Sequence, residues 1–125
     1  MGTRSTIKFY EEGSKTPILS VYQQYDGYID GVGHDLAKWL KNKKIVNGFT
    51  IGQTKENGYA NGMGCLAAQF VADHKTEIGG FYITNSKDEQ EYNYKVTHKK
   101  GDFVIEVNGD QFKGSPDELL EINSL

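Results

Sequence analysis

His34 follows two aspartates and three glycines in "YDGYIDGVGHDL", a dense run of side chains able to do chemistry. Histidine titrates near neutral pH, and Asp26, Asp30 or Asp35 could orient it as an acid–base or metal set requires. No H-x-x-x-H or H-E-x-x-H spacing supports a metal, and His74 and His98 stand alone. A solvent-facing or hydrogen-bonding histidine at a helix start is the simpler reading. Two glycine-rich approaches to helices offer a different chemistry: "DGVGHDL", with Gly31 and Gly33, and "NGMGCLA". Free N–H groups at a helix start attract anions, and glycines let an anion come close. The first lacks the third glycine of a dinucleotide fingerprint and the second has no Lys-Ser/Thr of a P-loop, so turn-forming and capping glycines are the plainer reading.

The aromatic residues point toward binding. Tyr22, Tyr25 and Tyr28 are spaced by three, so a strand followed by a turn cannot send all of them into one core. Phe81, Tyr82, Tyr92 and Tyr94 fall on two expected strands, flanked by Thr84, Asn85 and Asn93. An aromatic face holds a nucleobase at about 1–3 kcal/mol per stacked base, and an asparagine reads its edge with a paired donor and acceptor. Cross-strand aromatic packing accounts for part of this set. Arg4 is the only arginine beside thirteen lysines. It suits bidentate recognition of phosphate or carboxylate, and equally a surface ion pair.

These residues need elements to hold them. "STIKFYEE" alternates Ile7 and Phe9 against Thr6, Lys8 and Tyr10, as a half-buried strand does, and "ILSVYQQY" returns beside it as a hairpin. "HDLAKWLKNKK" and "CLAAQFVADHKTEI" have helical periodicity, with Cys65 a small buried residue at the start of the second. Between them, "NGFTIGQTKENGYANGMG" reads as a long irregular loop. "FYITNS" and "YNYKVTHK" alternate as strands on either side of a polar turn, "KDEQE". In "VNGDQF", Asn108-Gly109 signals a two-residue hairpin. Ser115, Pro116 and the acidic residues after them cap a short C-terminal helix. The expected fold is α+β: an antiparallel sheet of hairpins, two central helices and a short C-terminal helix.

Residues 1–125 form one domain by length, large enough for a core without disulfides or metal. The net charge of −3 argues against a nucleic-acid polymer or a membrane surface as partner. One cysteine, no apolar run of membrane-spanning length and no signal-peptide core predict a cytoplasmic protein. Gly2 and Thr6 satisfy a myristoylation pattern, but "STIKFY" already alternates as a strand and leaves no free arm.

"MGTRSTIKFY", "YQQYDGYIDGVGHDLAKWL", "NGMGCLAAQF" and "GGFYITN" together resemble the phage Thoeris anti-defence family of the first type, over nearly the whole chain. The resemblance implies a sponge acting in the infected bacterial cytoplasm. It binds the cyclic ADP-ribose isomer, the glycocyclic signal, that TIR-domain defence proteins make, and holds it without cleaving it, needing neither cofactor nor metal. Members form homodimers with the nucleotide at the interface, and some assemble as trimers of dimers with a second site for cyclic di- or trinucleotides. Carried onto this chain, the stacking ring falls at Phe81 or Tyr82, the asparagine at Asn93, and the basic residue at Lys113 or Arg4. Thr84 lies beside the ring. Tyr25, Asp26, Tyr28, Gly31, Gly33 and His34 would wall the site, with Asp26 or Asp30 accepting from ribose hydroxyls. Lys55, with Asn61, is what the chain offers at the second site. A hydrolase of the same ligand, with His34 and Asp35 as its base, and a protein-binding inhibitor with a tyrosine-rich surface are the alternatives.

Overall fold

A computed structural model describes residues 2–124. Its elements are strands β1 (Ser5–Phe9) and β2 (Leu19–Gln23), helix α1 (His34–Leu40), strands β3 (Lys44–Val46) and β4 (Tyr59–Asn61), and helix α2 (Met63–His74). Strands β5 (Phe81–Thr84), β6 (Tyr92–Lys99), β7 (Asp102–Val107) and β8 (Phe112–Gly114) follow, then helix α3 (Pro116–Asn123). The fold is α+β, with a six-stranded, mostly antiparallel sheet in the order β5-β2-β1-β6-β7-β8 and a small parallel β3–β4 pair.

Alternation builds one apolar face of the sheet. Ile7 pairs with Val21 and with Tyr94, and Tyr94 pairs with Val107; Phe9 pairs with Val96, and Val96 with Ile105. All of these are buried in one core with Leu36 and Leu40 of α1, Leu66 and Phe70 of α2, and Leu119 of α3. Phe9 and Phe70 meet at 5.2 Å between ring centres. Helix α3 starts as its sequence predicts: the Ser115 hydroxyl accepts from the Glu118 N–H, while the Glu118 carboxylate accepts from the Ser115 N–H.

Four features depart from the sequence reading. β6 lies parallel to β1 and is separated from β5 by two strands, so "KDEQE" is a crossover and not a hairpin turn. That crossover shields the outer face of β1, and all five residues of β1 are buried where a half-buried strand was expected. The stretch 47–64, expected as one irregular loop, contains strand β4, which pairs with β3 just ahead of it, and the first residues of α2. The Asn108-Gly109 turn does take positive φ at both residues, but it spans four residues, with the Gln111 N–H donating to the Val107 carbonyl at 3.0 Å.

Candidate functional site on the open face of the sheet

The strand registers place the other set of alternating side chains on the face away from the helices. Two rows cross it. One runs Tyr82, Tyr22, Thr6, Asn93; the other runs Thr84, Ser20, Lys8, Lys95, Glu106, Lys113. Tyr82, Thr84, Asn93 and Lys113, singled out from the sequence, thus share one surface. Tyr82 and Asn93 stand three strand spacings apart, roughly 14 Å.

Their chemistry differs along the rows. Tyr82 is 44% exposed and packs on Tyr22 at 5.9 Å between centroids, with the Lys75 ammonium 5.1 Å from its ring centre. Of the two rings considered for stacking, Phe81 points into the core and Tyr82 stands on the open face. Thr84 donates to Asp88 at 2.7 Å. Lys113 is exposed on the edge strand opposite Glu106. Asn93 is fully engaged: its Oδ1 accepts from the Thr6 hydroxyl at 2.8 Å and the Gln90 N–H at 2.9 Å, and its Nδ2 donates to the Gln90 carbonyl at 2.8 Å. Asn93 therefore ties the 85–91 crossover to the sheet.

Lys8 and Glu89, which the sequence reading did not single out, form the other tie. Lys8 is only 9% exposed along its side chain and donates to Glu89 at 2.8 Å, while Glu89 is 66% exposed. Alternation alone marks Lys8 as an outward residue, and nothing local marks Glu89, 81 residues away, as its cover. Beside this pair a cleft of about 170 Å³ opens among Lys8, Tyr10, Glu89, Asn93, Lys95 and Glu106. The Lys95 ammonium lies 4.7 Å from the Tyr10 ring centre.

The opening tyrosine–glycine segment gathers at one end of the sheet. Tyr25 is exposed, Tyr28 stands edge-on to Tyr92 at 6.4 Å, and Arg4 is exposed with its carbonyl accepting from the Tyr92 N–H. Here the glycines serve packing. A π-helical turn, Ile29–Gly33, runs straight into α1. The N–H groups of Gly31 and Val32 donate to the Tyr28 and Asp26 carbonyls, which leaves them unavailable to an anion. A side chain at Gly31 would collide with the Asp26 carbonyl, and one at Gly33 would press on the Tyr94 hydroxyl at 3.1 Å. That hydroxyl donates to the Gly27 carbonyl at 2.7 Å, and burial pushes its pKa up. Asp26 takes positive φ to close the turn.

His34 is exposed at the head of α1. Asp35, its expected partner, instead contacts His74 Nε2 at 2.9 Å, while His74 Nδ1 lies 2.8 Å from the Phe70 carbonyl. Both ring nitrogens face acceptors, an arrangement that suits the imidazolium. Burial alone would lower the His74 pKa, but the Asp35 and Phe70 hydrogen bonds outweigh it and raise it. The His74 hydrogen bond in turn holds Asp35 below the usual carboxylate range.

Lys55 and Asn61 do share a cavity, of about 270 Å³, with Phe49, Tyr59 and Gln69 also in its wall. Lys55 pairs with Asp73 at 2.7 Å and Asn61 accepts from the Gly48 N–H at 2.7 Å. The Gln69 Oε1 is buried with no partner, while its Nε2 donates to the Tyr59 carbonyl. Among the described residues no cluster of three metal-ligating side chains occurs, and no helix is long and apolar enough to cross a membrane. Comparison with family models, curated proteins and solved structures finds no match.

Proposed function

We infer that this protein is a phage anti-defence sponge that binds the cyclic ADP-ribose isomer made by bacterial TIR-domain proteins and releases it unchanged. The observation that carries the reading is the open face itself. This face of the sheet holds an exposed ring for a base, Tyr82 packed on the half-buried Tyr22, and a cleft beside Lys8 and Lys95 suited to a pyrophosphate. Capture needs stacking and charge pairing and no group that attacks a bond. The only assembled histidine–carboxylate pair among the described residues, His74 with Asp35, joins two helices rather than facing this surface.

The same reading makes the protein a cytoplasmic homodimer, with trimers of dimers as its larger assembly. The Lys55–Asn61 cavity is then the second site, for cyclic di- or trinucleotides. Sequestration requires affinity near nanomolar, about −12 kcal/mol. The experiment mixes excess protein with the signal released by an activated TIR protein, filters the mixture and assays the filtrate. The bound fraction is then denatured and identified by mass and retention time. Depletion with recovery of intact signal is the expected result. An altered product would make the protein an enzyme, and an undiminished filtrate would remove the ligand assignment.

A further inference from the structure

Lys8 and Lys95 are direct partners on adjacent central strands, β1 and β6. Like charges placed opposite one another destabilise a sheet, so this pair needs anions beside it. Two carboxylates lie near it, and one of them forms an ion pair. Glu106 is the cross-strand partner of Lys95, and Glu89 reaches down from the crossover to Lys8.

The two carboxylates are held very differently. Glu106 has its backbone fixed in β7, directly opposite Lys95, while the Lys95 ammonium lies against the Tyr10 ring. Glu89 sits on a segment with no regular structure, and its side chain is two-thirds exposed. The crossover backbone is secured by other residues, through Asp88 to Thr84 and Gln90 to Asn93. Glu89 can therefore rotate into water while the crossover stays in place. Lys8 has no such freedom, because a nearly buried ammonium must keep an anion beside it.

We propose that Lys8 and Lys95 bind a phosphate group of the nucleotide, and that Glu89 holds this place in the free protein as an internal anion that the ligand displaces. The inference rests on the nucleotide-binding reading above and names its phosphate contacts. A phosphodiester oxygen carries the single negative charge that a carboxylate carries, so the exchange leaves the net charge around Lys8 unchanged. The cleft of about 170 Å³ beside the pair suits a phosphate or pyrophosphate and not a whole nucleotide.

Opposite signs distinguish this site from a plain structural tie. Affinities for inorganic pyrophosphate and for the cyclic ADP-ribose isomer would be measured by calorimetry on wild type, Glu89→Gln, Lys8→Met and Lys8→Arg. Glu89→Gln removes the competitor and should tighten both probes about tenfold. Lys8→Met should weaken both by about tenfold or more, and Lys8→Arg should restore most of the loss. If Lys8→Met fails to fold, Glu89→Gln at the surface decides the matter alone. Unchanged or weaker binding in Glu89→Gln overturns the proposal, as does failure of both wild type and Glu89→Gln to bind either probe. Pyrophosphate binding with the predicted signs, but no uptake of the cyclic signal, would keep the anion site and discard the sponge. Uptake of the signal with no response to Glu89→Gln would keep the sponge and discard the site.

Discussion

The two faces of the sheet share their strands and differ in everything that alternation controls. On the helix face, Ile7, Phe9, Val96 and Ile105 are fully buried against apolar side chains of the helices. On the open face, Thr6, Lys8 and Ser20 are almost as deeply buried, but under a polar crossover and by hydrogen bonds. The first face is stabilised by area removed from water. The second is held by directional contacts that must all be satisfied at once. A surface of that second kind can exchange one partner for another, which a packed apolar core cannot.

The largest effect separating the faces is expected at Phe70, which is fully buried and touches Phe9, Trp39 and Phe81. Phe70→Ala should cost about 3–5 kcal/mol in chemical denaturation. A smaller loss would mean that the helices contribute less than the crossover to holding the sheet. Next comes Asn93→Ala, which strands the Thr6 hydroxyl and the Gln90 N–H and should cost about 1–3 kcal/mol of stability. It should also raise proteolysis within residues 85–91. Unaltered stability would show that the crossover needs no anchor at Asn93.

Tyr82→Ala sharpens the contrast, because its ring is exposed and contributes little to the core. Capture of the cyclic signal should weaken by about 1–3 kcal/mol, with the unfolding midpoint hardly moved. A large stability loss with intact capture would return Tyr82 to a packing role. The smallest effect belongs to the His74–Asp35 link between α1 and α2. Because the folded pKa of His74 is raised, its contribution is fully present below about pH 6.5, the unfolded value. It is lost as pH rises through the folded value. Asp35, with its folded pKa lowered, contributes above about 3.8 and loses that as pH falls further. Wild type should lose about 0.5–1 kcal/mol between pH 6 and pH 8.5 relative to His74→Gln. Parallel pH profiles for the two proteins would mean that His74 is not charged in the fold.

Much of the helix face is legible in the residues. Period-two alternation marks Ile7 and Phe9 as one face of β1, and they pair with Val21 and Leu19 of β2; the Ser115 to Glu118 box marks the start of α3. The open face is legible only in part. Tyr82, Thr84, Asn93 and Lys113 are identifiable by type, but their common surface depends on which strands are neighbours. "KDEQE" has the composition of a turn, and the same residues serve equally as a crossover. The glycines of "YDGYIDGVG" suggest an anion cradle, and it is the distant Tyr94 ring that makes Gly33 a packing residue.

Backbone preferences and side-chain periodicity act over a few residues, so strand alternation, the α3 cap and the positive-φ turn at Asn108-Gly109 follow from local sequence. The parallel pairing of β1 with β6, the burial of Lys8 beneath Glu89 and the capture of Asp35 by His74 do not. They join segments 39 to 87 residues apart. Each depends on the packing of the whole chain, because only a formed core brings such groups within hydrogen-bonding distance and excludes the water that would otherwise satisfy them.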